Sequence, residues 1–386
     1  MAKLTDLPRE LIDEIVALVY ATKPKQYLGA VHRLFLPFSR RLVFREIQVW
    51  TYTRLRLLCQ IASAAPETGQ HVRKLALSLA GQFDLKQPAT STVLSLFRSM
   101  PNLEDLTIKY STRLVKAVLC INRSPPPLPA VEALTLEDPF TGWSNPFDPV
   151  HFLNLGYLPS LGSLTYHVVQ RNADSIGRYK PSTWELPSPF SWFLDLRGPF
   201  MATRATHDLM QFFPEVDGLI LRMDAAVRSP LPLIEKLRSP EYLTVLSFGG
   251  QTHSLEDFLA ILGLCPNLCL LEICPPPSFN TFISSLIRLP NLEEFDLLSG
   301  PNATTAGLKR LVDPKTKPPK FQSLSVNTVA TCACGFCWID GYDSTFTRDG
   351  MLEVVQLAEE SDVEVEGLAA ELARVEIEFR RREQEE

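Results

Sequence analysis

The sequence lacks the excess of basic residues that binding to a nucleic-acid backbone requires. Its 386 residues include 38 lysines and arginines against 44 aspartates and glutamates, which gives a net charge of −6. Residues 351–386 contain 12 acidic and 4 basic residues, so that segment accounts for all of the excess negative charge. Because contacts to phosphates depend on clustered lysine and arginine, no nucleic-acid partner is predicted.

Long apolar runs are also missing. No stretch of 18 residues is both apolar and free of charge, and the opening Met1-Ala2-Lys3-Leu4-Thr5-Asp6 contains no hydrophobic signal segment. The sequence therefore predicts no membrane partner and a cytoplasmic and/or nuclear location. In such a location the eight cysteines are expected to be reduced thiols.

Motifs for catalysis are absent as well. The chain has no nucleophile elbow, no phosphate-binding loop and no His-Glu-x-x-His helix, and its six histidines are scattered. Cys332, Cys334 and Cys337 could bind zinc, but a structural site needs four ligands and no histidine is near. We therefore predict no enzyme activity, no cofactor and no metal, with the cysteine cluster forming a turn against the last repeat. A metal-dependent enzyme is the remote alternative.

What the sequence does contain is a repeat with the pattern Leu-x-x-Leu-x-Ile, as in Leu103-Glu104-Asp105-Leu106-Thr107-Ile108. Its middle apolar position recurs at intervals of 24 to 31 residues. The recurring residues are Leu75, Leu106, Leu134, Leu164, Leu194, Leu219, Leu246, Leu271, Phe295 and Leu324. The alternation places both apolar residues on one face of a short strand. Stacked copies of such a strand are expected to form a parallel sheet with a shared core.

Segments between the predicted strands show helical spacing. After Ser254, a candidate helix cap, the apolar residues Leu255, Phe258 and Leu262 fall on one helical face. Strand, turn, helix and return resemble the leucine-rich-repeat plan over residues 72–326. Ser111 stands where that family usually has Asn or Cys, so the repeats are irregular.

The fold class predicted is thus α/β, with an N-terminal helical part followed by a leucine-rich-repeat solenoid. Parallel strands would line a concave face and helices the convex face, in about ten irregular repeats over residues 72–330. The alternative is a non-repetitive α/β domain with leucine-rich strands.

Residues 4–50 carry no repeat. Leu7-Pro8-Arg9-Glu10-Leu11 begins a helix well, because Pro8 lies in the first turn and Glu10 favours the positive end of the helix dipole. Helical stretches are also predicted at residues 27–35 and 39–47.

The opening Leu-Pro-x-Glu-Leu-x-x-x-Ile, followed by a later Arg-Arg-x-x-Phe-Arg segment, resembles an F-box of the fungal type. This resemblance implies a partner, the Skp-type adaptor of a cullin–RING ubiquitin ligase. The residues implied to bind the adaptor are Leu7, Pro8, Leu11, Ile15, Leu18, Leu28, Val31 and Leu34. The alternative is an ordinary helical cap on the end of the solenoid.

Binding of a protein target is predicted on the repeat array. Trp143, Trp184 and Trp192 lie in proline-rich segments without helical spacing, and aromatic loops often form binding surfaces. The concave face adds the polar candidates Asp195, Arg197, Arg222, Glu272 and Asp296. Alternatively, the aromatic rings pack back onto the array.

Residues 51–71 are predicted as a linking helix, and residues 331–386 as a C-terminal cap with an acidic helical tail. In the tail, heptad spacing relates Val365, Leu368, Leu372, Val375 and Phe379. About two heptads are too few for an independent coiled coil.

Together these features predict the substrate-recognition subunit of an SCF-type ubiquitin ligase, in which the repeats bind an unknown target protein. The alternative is a leucine-rich-repeat interaction scaffold whose degenerate F-box has no ligase role.

Overall fold

The structure, a computed structural model, describes the larger part of the chain. The described residues are 8–22, 36–79, 89–109, 111, 114–115, 118, 128–138, 158, 160–168, 192–197, 210–211, 213, 215–222, 229–249, 254–298, 302–327 and 346–385. The chain divides into two compact units, Met1–Gln170 and Arg171–Glu386.

Each unit contains a parallel β-sheet whose strands follow one another in sequence order. The first unit has β1 (Glu46–Val49), β2 (Lys74–Ser78), β3 (Asp105–Lys109), β4 (Ala133–Asp138) and β5 (Ser163–Val168). The second has β6 (Trp192–Arg197), β7 (Val216–Arg222), β8 (Val245–Gly249), β9 (Leu270–Ile273), β10 (Glu294–Leu297), β11 (Ser323–Val326) and β12 (Glu364–Glu366).

The repeat positions predicted from the sequence lie in register within each unit. Leu75 is opposite Leu106, and Leu134 and Leu164 continue the row. In the second unit the row consists of Leu194, Leu219, Leu246, Leu271, Phe295 and Leu324. All ten side chains are buried. The parallel repeat architecture is therefore confirmed.

Helices occupy many of the returns between strands. The described helices are α1 (Arg9–Thr22), α2 (Leu36–Val43), α3 (Tyr52–Ala64), α4 (Pro66–Gly69), α5 (Thr90–Arg98), α6 (Leu231–Ile234), α7 (Leu255–Leu264), α8 (Phe279–Leu286), α9 (Thr305–Val312), α10 (Arg348–Glu360) and α11 (Leu368–Glu385). Ser254 caps α7 as predicted, because its hydroxyl accepts from the Asp257 amide at 3.1 Å.

The helices pack on the apolar face of the strands. Phe258 of α7 lies 5.3 Å from Phe248 of β8 and 5.3 Å from Phe282 of α8, measured between ring centroids. Phe282 in turn lies 6.3 Å from Phe295 of β10. This chain of rings fills the layer between sheet and helices, as the α/β solenoid requires. The opposite side of the sheet, called the polar face below, carries the side chains between the buried positions.

A hydrogen-bond ladder fixes the turn before many of the strands. The Arg73 carbonyl accepts from the amides of Glu104 and Asp105 at 2.8 and 3.0 Å. In the second unit the Cys269 carbonyl accepts from the amides of Glu293 and Glu294. Side chains reinforce this pairing at the Pro-Asn-Leu turns. Asn102 donates to the Gln70 carbonyl at 2.8 Å, and Asn267 donates to that of Glu241 at 2.9 Å.

In each unit the sheet has one strand more than the predicted array, at the outer end of the sequence. Strand β1 pairs with β2, with Ile47 opposite Leu75, so the helix predicted over residues 39–47 is wrong after α2 ends at Val43. In the second unit β12 pairs with β11, with Val365 opposite Leu324. The predicted tail helix is consequently two helices, α10 and α11, separated by a strand. Residues 52–64 of the predicted linking segment are helical, as α3.

Candidate functional site

Helix α1 has apolar side chains on two adjoining faces. Ile12 and Val16 are buried, while Leu11, Ile15 and Leu18 are exposed, with 67% of Leu18 accessible. The exposed three follow i, i+4, i+7 spacing and so form one stripe, called the α1 stripe below. Arg41 of α2 pairs with Asp13 of α1 at 3.3 Å.

The α1 stripe contains three of the residues that the F-box resemblance implies for adaptor binding. Pro8 is exposed just before the helix, where its carbonyl accepts from the Ile12 amide at 3.2 Å. The other four residues lie outside the described part of the chain: Leu7, Leu28, Val31 and Leu34.

Acidic side chains gather on the polar face of the second unit. Glu272 of β9 is directly opposite Asp296 of β10, and Glu294 lies two residues before Asp296 on the same strand face. Asp296 is opposite Ser325, which is opposite Glu366 of β12. The four carboxylates Glu272, Glu294, Asp296 and Glu366 are called the acidic face below.

The acidic face carries mutual repulsion. Partial burial raises the pKa of Asp296, and the charges of Glu272, Glu294 and Glu366 raise this pKa further. Glu272 accepts a hydrogen bond from the buried Ser247 hydroxyl of β8, which fixes its carboxylate on the sheet. Like charges opposite one another on a sheet destabilise it, so this arrangement is a candidate for function.

The first unit shows the opposite arrangement. On its polar face, charges of opposite sign pair across neighbouring strands: Lys74 Nζ lies 3.9 Å from Glu46, and Lys109 Nζ lies 3.4 Å from Glu137. Between these rows, Thr107 is opposite Thr135. Charge on this face is thus locally compensated.

The structure corrects the prediction for Trp192. This residue begins β6 instead of lying in a loop, and 1% of it is accessible. Its ring packs edge-on against Phe213, with centroids 5.2 Å apart. Trp192 is therefore part of the core and is not available to contact a target. Trp143 and Trp184 lie outside the described residues.

The remaining predicted target-binding residues are placed on the sheet. Asp195 faces the polar side of β6 but is buried, so it offers little surface. In the backbone register of β6 and β7, Arg197 is opposite Arg222 at the ends of the two strands. Glu272 and Asp296, which are both predicted to contact a target protein, lie directly opposite one another on β9 and β10.

Two members of the acidic face, Glu294 and Glu366, were not among the predicted candidates. The strand signal for Glu366 is present in Val363-Glu364-Val365-Glu366, where apolar and acidic residues alternate. The heptad spacing that relates Val365 to Leu368 and Leu372 favours a helix over the same residues.

Burial raises the pKa of Cys59, Cys265 and Cys269, which disfavours the reactive thiolate form of these three thiols. Cys59, Cys265, Cys269 and Cys274 are free cysteines. Burial, with a smaller effect from the charge of Glu241, raises the pKa of Cys265 to about 12. No cluster of three or more His, Cys, Asp or Glu suited to a metal occurs in the part of the chain that the structure describes. Cys332, Cys334 and Cys337 lie outside it.

A cleft of about 770 Å³ lies between α1, α2 and the turns before β2 and β3. Arg41, Arg45 and Arg73 line it, but so do Asp13, Glu14 and Glu104. Arg73 pairs with Glu104 at 2.8 Å, so the cleft has balanced charge and does not select an anion or a cation.

Comparisons with known proteins give only distant structural likeness. No family model matches the chain, and no curated protein matches it. The crystal structure of an internalin from Listeria monocytogenes shares 12% identity, covers 81% of this chain and 86% of its own, and has a TM-score of 0.39. A Bacteroides fragilis protein shares 14% identity over 84% of this chain and 66% of its own, with a TM-score of 0.27. The assignment of a parallel repeat fold therefore rests on the strand register.

Among the described residues, no helix is both long enough and apolar enough to cross a lipid bilayer.

Proposed function

We propose that this protein is a non-catalytic binding scaffold of the leucine-rich-repeat type, which recognises a protein target through its sheet. The acidic face carries this proposal. Four carboxylates are held on three strands, although partial burial and then their mutual repulsion raise the pKa of Asp296. A basic segment of a target would relieve that repulsion on binding, so the same charges that weaken the free sheet favour the complex.

Rigid strands suit such a role. Ser247 holds Glu272, and the ladder of backbone hydrogen bonds holds the strands in register, so few side chains need to be ordered on binding. Carboxylates that share one face also steer a basic partner toward it before contact. Trp143 and Trp184 remain proposed as aromatic anchors for the same target.

Charge reversal tests the acidic face. We expect Glu294→Lys combined with Glu366→Lys to release proteins that the native chain captures from a eukaryotic cell extract. Glu360→Lys is the matched control, since Glu360 is an exposed glutamate at the end of α10, away from the polar face. Quantitative mass spectrometry of the captured proteins measures the difference. Equal loss in both variants, or loss in neither, would contradict binding at the acidic face.

A second function, docking of a Skp-type adaptor, is supported by the α1 stripe. The stripe exposes Leu11, Ile15 and Leu18 at helical spacing, and apolar patches of this kind mark protein interaction sites. Together with the Leu-Pro-x-Glu sequence, it supports a substrate-recognition subunit of an SCF-type ubiquitin ligase. Without adaptor binding, the protein would be an interaction scaffold with no ligase role.

Co-purification with a recombinant Skp-type adaptor tests this second function. Replacement of Leu11, Ile15 and Leu18 by serine should abolish the complex, because interface anchors each contribute about 2 kcal/mol or more. Leu57→Ser is the control, since Leu57 is also an exposed leucine, on α3. If the native protein does not bind the adaptor, the scaffold function alone stands.

A further inference from the structure

The last helix, α11, presents an apolar stripe that the repeat array does not cover. Leu368, Val375 and Phe379 are exposed, with 67% of Val375 and 57% of Phe379 accessible, and Leu372 between them is half-buried. Their spacing of four, three and four residues keeps them on one side of the helix. These four residues are called the α11 stripe below.

The rest of α11 is anchored, so the stripe is held in a fixed place. Ala369, Ala370 and Ala373 are buried on another side of the helix. Arg380 bonds to Asp349 of α10 at 2.9 Å and to Glu376 at 2.9 Å, and Arg348 of α10 also pairs with Glu376. A helix already ordered by its own chain loses little conformational freedom when a second helix packs against it.

The charges beside the stripe select the kind of helix that fits. In a heptad with Leu368 and Val375 at d, the first e position is the buried Ala369, and the other flanking e and g positions are all glutamates: Glu371, Glu376, Glu378, Glu383 and Glu385. Glu371 and Glu378 are exposed, and neither forms an ion pair with another residue that the structure describes. A second copy of α11 would therefore oppose glutamate with glutamate, whether it ran parallel or antiparallel.

We propose that the α11 stripe binds a basic amphipathic helix of another protein, with apolar residues against the stripe and lysine or arginine beside Glu371 and Glu378. This surface is separate from the acidic face and from the α1 stripe. It gives the protein a binding site for a helix in addition to its sheet.

Two synthetic peptides of three heptads test the proposal with the full-length protein. Both have leucine at a and d; one has lysine at e and g, and the other has glutamate there. Fluorescence anisotropy at about 0.15 M salt should show binding of the lysine peptide and not of the glutamate peptide. Val375→Ser with Phe379→Ser should weaken binding at least about tenfold, because two exposed apolar anchors are lost. Both positions are exposed, so the thermal midpoint should stay unchanged.

Charge reversal is the more stringent test of the proposal. Glu371→Lys with Glu378→Lys should reduce binding of the lysine peptide about tenfold and create binding of the glutamate peptide. The Glu294→Lys, Glu366→Lys variant should bind the lysine peptide as the native chain does. Equal binding of both peptides, binding lost only in that last variant, or no binding at all would overturn the proposal. So would self-association of the native chain that Val375→Ser with Phe379→Ser removes.

Discussion

Replacing Asp296 by asparagine should make the protein more stable and a weaker binder. Asp296 lies at the centre of the acidic face, directly opposite Glu272 and near Glu294 and Glu366. Asparagine keeps the size of the side chain and removes its charge. The substitution therefore removes repulsion without opening a cavity in the sheet.

The size of the gain follows from the geometry. One like charge, on Glu272, is directly across the strand pair, and such a pair destabilises a sheet by roughly 0.2–1 kcal/mol. The two more distant glutamates add to this, while the poorer strand propensity of asparagine subtracts a little. We expect a net increase in the free energy of unfolding of about 0.5–1 kcal/mol at pH 7.

Urea unfolding between pH 7 and pH 4 gives the sign of the effect. The pKa of Asp296 is raised in the folded protein above its usual value of 3.8, so the folded state takes up the proton first as the pH falls. The penalty is fully present at neutral pH and disappears as the pH falls through the folded pKa. The advantage of Asp296→Asn should therefore be largest at pH 7 and shrink toward pH 4.

Asp105→Asn is the matched control. Asp105 also lies on a polar strand face, but Lys74 is opposite it in register. Removing the negative charge of Asp105 should therefore not stabilise the protein. If Asp296→Asn lowered stability, or if both variants behaved alike, the repulsion assigned to the acidic face would be wrong. Unchanged target capture by the stabilised variant would refute the link between that repulsion and binding.

Three further outcomes are expected. Leu106→Asp puts an unpaired carboxylate into the core and should lower the free energy of unfolding by at least about 3 kcal/mol. Thr107→Asp, on the polar face of the same strand, should not. Equal shifts in the thermal midpoint of the two variants would refute the assigned faces. Gly367→Ala should lower the free energy of unfolding, measured in urea, by about 1–2 kcal/mol. Gly367 has φ +88°, and a Cβ there would lie 2.6 Å from the Val326 carbonyl oxygen. An unchanged urea midpoint would contradict this. Cys265, whose pKa burial raises to about 12, should react with a thiol reagent at pH 8 only after unfolding, and rapid labelling of the native protein would show that it is accessible.

The central strands could be predicted from the sequence because each repeat carries its own signal. Leu75, Leu106 and the eight positions that follow them are separated by similar intervals and alternate with polar residues, which a short buried strand requires. The first strand, β1, is not predicted, and the reason is physical. Phe44, Ile47 and Val49 match the repeat spacing, but their position next to α2 suggested a continuing helix.

Functional positions were harder to predict because burial depends on strand boundaries. Trp192 was expected in a loop, yet β6 begins with it and turns its ring into the core beside Phe213. Glu272 and Asp296 could be identified, since the alternation within a repeat places them on the polar face. The grouping with Glu366 depends on β12, whose local alternation competes with the helical spacing of the leucines that follow it, and the pairing with β11 identifies it as a strand.

The ladder that joins two amides to one carbonyl before many of the strands bears on how such proteins diversify and can be re-engineered. Leu271 and Phe295 are 24 residues apart and Leu75 and Leu106 are 31 apart, yet each pair stacks in the same register. The register of the strands thus does not depend on the length of the segment that connects them. Connecting segments can therefore be exchanged or lengthened to acquire new binding specificities. A single-residue insertion between the ladder and its strand would instead shift every side chain of that strand to the other face.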